Sequence, residues 1–147
     1  MSIESIALWH KRARPEPDDA AFNVQLGCHF EEIVEMLDAL YISEDGEESY
    51  EAWNARVWLS SCAEKLKSGE FTATMNDREE FLDSLGDQIV TAVGVGHCAK
   101  MKMVEAVEEV NRSNWSKFNY KGFPEFNEHG KIAKGEQYSK PNLEGMF

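Results

Sequence analysis

The chain has 147 residues, a length that suits one ordinary domain with its own hydrophobic core. Its 27 acidic residues outnumber its 15 Lys and Arg, and the formal charge of -12 excludes binding to nucleic acid through a basic patch and attraction to anionic membranes. Hydrophobic residues make up 42% of the chain, too many for a disordered acidic protein. So large a charge must be spread over the surface or gathered around cations, which makes a metal site worth seeking.

Three cysteines and the start of the chain bear on its location. Cys28, Cys62 and Cys98 leave an odd thiol in any disulfide scheme and match neither a zinc ribbon nor a CxxC pair, so we expect them to be reduced. The longest weakly polar stretch, 89–99, is far shorter than the roughly 20 residues that cross a bilayer, and the first residues lack the order of a signal peptide. These features predict a cytoplasmic protein without a membrane segment.

The first part of the chain predicts a short arm followed by one long helix. A polar stretch containing two prolines closes an apolar N-terminal segment, so residues 1–17 are expected to form a helical arm that packs on the body. From Asp18 or Asp19, both good N-caps, apolar residues recur at helical spacing as far as Tyr41. This pattern predicts a helix of about 20 residues.

Three more helices are expected before the tail. The acidic stretch 44–48 predicts a solvated break, after which the apolar pattern resumes over 50–66 and ends near Gly69. A third helix should open at Asn76 or Asp77 and run into a pair of glycines that allow either a close helix contact or a helix end. The periodicity of 101–112 predicts a shorter fourth helix.

The last segment, 119–147, is rich in Gly, Pro, Asn and Lys and predicts an irregular tail, with room for a small hairpin. No run in the body has the alternation of a β-strand, and no internal repeat is present. We therefore predict a single domain over 1–147 of the all-α class, built as a four-helix bundle with an N-terminal arm and an extended tail.

Acidic residues lie beside the apolar stripe on two of these helices. The first ladder consists of Glu31, Glu32, Glu35 and Asp38, and the second of Glu80, Asp83 and Asp87. If the apolar stripes pack together, the ladders converge, and like charges about 4 Å apart repel by about 4 kcal/mol at an effective dielectric near 20. Such a site requires cations, and hard oxygen ligands suit Mg²⁺ or Mn²⁺. The alternative, that both ladders are ordinary solvated helix faces, stays open.

Four motifs occur in order along the chain. They are EExxE at 31–35, FLDSLGDQIV at 81–90, EVNRSNWSKF at 109–118 and a tail pattern GKIxKGxxYxxPNL that begins at 130. Together they resemble the MazG-like, all-α nucleoside triphosphate pyrophosphohydrolases, especially the branch related to phosphoribosyl-ATP pyrophosphohydrolase. The match extends from about residue 24 to residue 143. EExxE alone is common in helices, whereas the ordered set is fairly specific.

This resemblance implies a fold, a reaction and a cofactor. The fold is a four-helix MazG-like bundle, and the reaction splits the α–β phosphate bond of a ribo- or deoxyribonucleoside triphosphate to give a monophosphate and pyrophosphate. The cofactor is Mg²⁺, with Mn²⁺ as the alternative. Because family helices pair between subunits, and because the aromatic side of the second helix leaves apolar area uncovered, we expect a homodimer or homotetramer.

The resemblance also assigns roles to the acids. Glu32, Glu35 and Asp87 match the strongest metal ligands of the family, and Glu31 or Glu35 is the candidate general base. The family's usual second motif is ExxD, but this chain lacks the glutamate three residues before Asp87 and has Asp83 one position earlier. The resembled branch often has a DxLxD form here, so Asp83 is the fourth predicted ligand.

Other polar residues near the motifs are candidate substrate contacts. For the phosphates and the nucleoside they are Gln25, Asn111, Arg112, Asn114, Lys117, Lys134 and Tyr138, with Lys131 as a further tail cation. Each has an ordinary structural alternative, namely a solvated helix start for Gln25, capping for the short polar residues after the fourth helix, a solubilising surface role for the cations and packing for the tyrosine. A second function class also stays open, a non-catalytic acidic helical adaptor or nucleic-acid mimic whose acids face solvent. Thermal melting with and without Mg²⁺ separates the two classes, since a ligand of the folded state raises its stability.

Overall fold

A computed structural model describes residues 3–128 and 130–147, in which the chain is mostly helical, and this confirms the all-α prediction. The elements are α1 (Ile3–Ala13), α2 (Asp19–Asp38), β1 (Ser43–Glu44), β2 (Glu47–Glu48), α3 (Tyr50–Ser68), α4 (Arg78–Cys98) and α5 (Met103–Trp115). None of these helices is long and apolar enough to span a bilayer. The three cysteines are free thiols, as predicted.

The described residues group into two compact units. The α2–α3 unit contains residues 17–73 and the described part of 127–131. The α4–α5 unit contains the described part of 1–16 together with 74–126 and 132–147. The four-helix arrangement and the single domain over 1–147 stay predictions.

Helix ends lie where the capping residues predict them. The Asp18 carboxylate accepts a hydrogen bond from the Ala21 amide at 2.7 Å and begins α2. Asp77 caps α4 in the same manner by accepting from the amides of Glu79 and Glu80. Gly69 ends α3 with a φ of 79°, a left-handed conformation that glycine adopts without steric cost. The predicted starts of α2 and α4 and the end of α3 are thus confirmed.

Residues 43–48 form a small hairpin, so the expectation of no strand in the body was wrong there. Asp45 and Gly46 both have positive φ, 52° and 90°, at the tip between β1 and β2. An Asp-Gly pair with two left-handed residues is the usual tight connection between antiparallel strands. The hairpin contains only two residues per strand, too few for the alternation that identifies a strand in sequence.

The helices α2 and α3 pack antiparallel to each other. Asp38 at the end of α2 pairs with Arg56 near the start of α3 at 3.7 Å, while Glu31, further back on α2, pairs with Lys67 near the end of α3. Gly27 is buried at the point of closest approach, where an added Cβ would lie 2.7 Å from the Ala63 carbonyl oxygen. A glycine is required there because any side chain would force the two helices apart.

The α4–α5 unit has an aromatic core. Trp9 and Ala13 of α1 are buried with Phe118, and Trp115 and Ile132 pack against them. The Trp9 indole nitrogen donates to the Asn114 carbonyl oxygen at 2.8 Å, so α1 is attached to α5 by a hydrogen bond as well as by packing. The prediction that the N-terminal arm packs on the body is confirmed for this unit.

Substitution of Gly27 by alanine is expected to destabilise the protein by about 1–3 kcal/mol, because the new methyl group must overlap the Ala63 carbonyl or displace α3. Gly94→Ala in α4 is the matched control, since an added Cβ there has no neighbour within 4 Å. Alanine should stabilise that exposed helix position by about 0.5–1 kcal/mol. Chemical denaturation of the two variants measures both effects. Equal stability of the two would contradict the close approach at Gly27.

Candidate functional site

Acids of the EExxE motif line a cavity of about 210 Å³ between α2 and α3. Glu31 and Glu35 contribute from α2, and Glu64 and Lys67 face them from α3. The remaining lining residues are Val34, Ser60 and Ala63. The antiparallel packing of the helices therefore places three carboxylates and one ammonium group around one small space.

Glu31 forms two ion pairs within the α2–α3 unit. Its Oε1 accepts from Lys67 Nζ at 2.8 Å and its Oε2 accepts from Lys131 Nζ at 2.7 Å. Partial burial of Glu31 acts to raise its pKa, but the hydrogen bonds from Lys131 and Lys67 outweigh that effect and hold the pKa below its usual value. Glu31 is consequently an ionised carboxylate with both oxygens engaged.

The four predicted metal ligands are exposed. Glu32 and Glu35 lie on α2, whereas Asp83 and Asp87 lie on α4, so the predicted ligands are divided between the two units. In the described part of the chain, no three His, Cys, Asp or Glu side chains are arranged so that they could hold a metal ion. The predicted convergence of the two acidic ladders therefore stays a prediction.

A second cavity, of about 480 Å³, lies beside the first in the α2–α3 unit. Its polar lining includes the buried Asn23, whose Oδ1 accepts from the Ala73 amide at 2.8 Å, and Lys67, which also lines the smaller cavity. The other lining residues are Asp19, Ala20, Val24, Leu66, Ser68, Gly69, Thr72 and Glu128. Gln25, the predicted substrate contact on this helix, is exposed and is not part of the lining.

Two of the predicted substrate contacts on α5 hold the α4–α5 unit together. Asn111 is buried, and its side-chain amide donates to Ser5 Oγ at 2.9 Å. Arg112 donates twice to Glu109 at 2.8 Å and once to the Lys140 carbonyl oxygen at 3.1 Å. The Asn111 contact joins α5 to α1 rather than capping a helix, and any substrate contact by Arg112 would have to compete with its ion pair and its tail contact.

The remaining predicted contacts lie near aromatic rings of the same unit. The Lys117 ammonium is 5.8 Å from the centre of the Trp9 ring, and the Lys134 ammonium is 5.0 Å from the centre of the Tyr138 ring. Asn114 accepts from Trp9 through its backbone carbonyl. At these distances each lysine ammonium group makes a cation–π contact with the ring. Such a contact is compatible with a packing role for the lysine and also with binding of an anion.

Sequence reasoning did not identify Glu64 and Lys67 as members of the site. Both lie on α3, outside every motif, and only the register of α3 against α2 brings them to the EExxE acids. The buried Gly27 was the available signal, because a glycine inside an amphipathic helix indicates close approach by a neighbour. It does not reveal which residues that neighbour presents.

Comparison with known proteins gives no match to a family, to a curated protein or to a solved structure.

The attachment of the tail to α5 through Glu109, in the α4–α5 unit, should depend on pH. Hydrogen bonds from Arg112 and from the Asn142 amide lower the pKa of Glu109 from 4.5 to about 2. A lowered folded-state pKa stabilises the attached tail above pH 4.5, and this stabilisation is lost as the pH falls towards 2. An NMR titration should therefore show the Asn142 amide signal shifting over this range. Glu109→Gln should abolish the shift, and Glu105→Gln, an exposed acid on the same helix, should preserve it.

Proposed function

We propose that the protein is a metal-dependent nucleoside triphosphate pyrophosphohydrolase that releases a nucleoside monophosphate and pyrophosphate. The observation that carries the proposal is the cavity between α2 and α3, which Glu31 and Glu35 of the EExxE motif line together with Glu64 and Lys67. The order of the four motifs supports the same reaction through the resemblance stated above. A triphosphate is a polyanion, so acids can hold it only through bridging cations.

The donor chemistry of the α2 acids fits Mg²⁺. Glu32 and Glu35 are exposed carboxylates, and hard oxygen ligands are those that Mg²⁺ prefers. In the proposed enzyme Glu32 and Glu35 would hold the ion from α2, and the resemblance adds Asp83 and Asp87 as its expected ligands. When bound, Mg²⁺ neutralises charge on the leaving pyrophosphate and lowers the pKa of water.

The two candidate bases differ in their surroundings. Both oxygens of Glu31 accept hydrogen bonds from lysines, and its lowered pKa makes the carboxylate a weak proton acceptor. Glu35 lines the same cavity and is exposed. We therefore assign the general base to Glu35, whose oxygen that does not bind the ion would take a proton from the attacking water, and we assign to Glu31 the placement of cationic groups beside the cavity.

The acidic adaptor is the second candidate function, and the exposure of Asp83 and Asp87 favours it. An adaptor gains nothing from Mg²⁺, whereas the proposed enzyme binds the ion in its folded state. A rise in melting temperature with Mg²⁺ supports the enzyme, and a melt indifferent to Mg²⁺ and Mn²⁺ supports the adaptor.

Glu35→Gln should reduce turnover sharply and leave the metal-free fold as stable as before or more stable. The change removes one negative charge from a cavity that Glu31 and Glu64 also line, so repulsion falls while metal affinity is lost. Glu47→Gln in the exposed hairpin is the control and should keep its activity within about twofold and its stability within about 0.5 kcal/mol. The measurements are pyrophosphate release from a panel of common NTPs and dNTPs, and melting in EDTA. Full activity of Glu35→Gln would refute the metal site.

A homodimer is the proposed assembly, and an exposed face of α4 supports it. Leu82, Ile89 and Val93 follow one another along this face and are 71%, 51% and 46% exposed. Apolar side chains in such a row usually belong to an interface, and a second copy of the chain presents the same row with the self-complementarity of a twofold axis.

Ile89→Lys should therefore convert a dimer into a monomer, because the interface would have to bury two ammonium groups. Thr91→Lys, also exposed on α4 but on its polar side, should leave the dimer intact. Light scattering at micromolar concentration distinguishes the two masses. A wild-type monomer at that concentration would contradict the proposed assembly.

A further inference from the structure

Two lysines from separate segments meet at one carboxylate in the α2–α3 unit. Lys67 comes from the last turn of α3 and Lys131 from the turn after residue 127, and their ammonium groups lie 2.8 and 2.7 Å from the two oxygens of Glu31. These two ammonium groups are the positive charges of a neighbourhood whose other charged side chains include Glu31, Glu32, Glu35 and Glu64. In a chain with a formal charge of -12, two lysines that converge on one carboxylate are the cations placed to meet an anion there.

Both lysines are held in place by their own surroundings. The stem of Lys67 packs over Gly27, so its side chain is only 20% exposed. Lys131 is fixed by backbone contacts: its amide donates to Asn127 Oδ1 at 2.9 Å and its carbonyl oxygen accepts from the Asn127 amide at 2.9 Å. The Lys131 side chain is 45% exposed, so a ligand can reach it from solvent. Packing thus fixes the Lys67 stem and Asn127 fixes the Lys131 backbone, while Glu31 holds the two ammonium groups before any ligand binds.

The location of Lys67 distinguishes this cluster from an ordinary surface ion pair. Lys67 lines both the cavity that contains Glu35 and the larger cavity that contains Asn23. The larger cavity, at about 480 Å³, is also lined by Ser68 and Thr72. A group that binds at Lys67 therefore has space on both sides, which a linear chain of phosphates attached to a nucleoside requires.

An ammonium group has three N–H donors, and the hydrogen bond to Glu31 uses one on each lysine. A phosphoryl oxygen is a strong acceptor that can bind the other donors of each ammonium group. Arg112, the cation of α5, is less suited to this role, since it already binds Glu109 and the tail.

We propose that Lys67 and Lys131 bind the phosphate chain of the substrate through their other N–H donors, while Glu31 keeps one hydrogen bond to each lysine. The identity of the anion as an oligophosphate rests on the proposed function. No covalent bond forms or breaks in this step. Glu31 keeps the two ammonium groups together before and after the anion enters.

The test measures binding of inorganic tripolyphosphate by calorimetry, with Mg²⁺ and again in EDTA. Lys67→Met and Lys131→Met should each weaken binding about tenfold, the loss expected for one charge-assisted hydrogen bond. Lys67→Arg should restore most of the affinity. Lys65→Met is the matched control, because Lys65 lies on the same helix and pairs with Glu70 at 3.1 Å, and its binding should stay within about twofold of wild type.

Wild-type affinity in both methionine variants would overturn the proposal, as would the absence of tripolyphosphate binding to the wild-type protein. Lys131 lies on an exposed turn, so its variant keeps the test valid if Lys67→Met fails to fold. Binding that depends on both lysines, with no turnover of any nucleotide, would support the lysine site and contradict the hydrolase. Pyrophosphate release together with lysine-independent binding would contradict the lysine site alone.

Discussion

The close approach of α2 and α3 at Gly27 is the contact on which the candidate site depends. With no side chain at this position, the Ala63 backbone and the Lys67 stem lie directly against α2. The Lys67 ammonium is thereby brought to Glu31, one turn further along α2. Glu64 and Lys67 would not line a cavity with the EExxE acids if a larger residue separated the helices. Packing of small groups thus determines the electrostatics of the site.

The scarce cations of this acidic chain are used in two different ways. Arg112 joins α5 to the tail, where Glu109 and two tail carbonyl oxygens satisfy its guanidinium group. Lys67 and Lys131 instead converge on a carboxylate beside two cavities. A guanidinium group has several donors in a fixed geometry, which suits a permanent contact between two segments. A lysine ammonium group has rotatable donors and can turn them towards another acceptor. Arg112 lies within a motif and Lys67 lies outside every motif. Position in a motif therefore did not show which cations hold the fold together and which are candidates to bind a ligand.

Local features were predictable because their causes lie within a few residues of sequence. Asp18 and Asp77 begin helices because their carboxylates accept hydrogen bonds from backbone amides of the first turn. Gly69 ends a helix because it adopts the left-handed backbone conformation. Partners distant in sequence were not predictable in the same way. Ser5 binds Asn111, and Lys131 binds Glu31, because of helix register and chain path, which no spacing rule encodes. The motif acids were therefore found from sequence, and the groups that surround them were not.

The acids of the EExxE motif are chemically unequal although they look equivalent in sequence. Glu31 is held ionised by two lysines, while Glu35 lies four residues later and lines the same cavity as an exposed side chain. A carboxylate fixed by cations cannot readily accept a proton, and one that is free to bind a hard cation or water can do either. One helical turn on α2 thus separates the group that assembles the cations from the group proposed to act on water. The two acids differ because Lys67 of α3 and Lys131 lie within hydrogen-bond distance of Glu31.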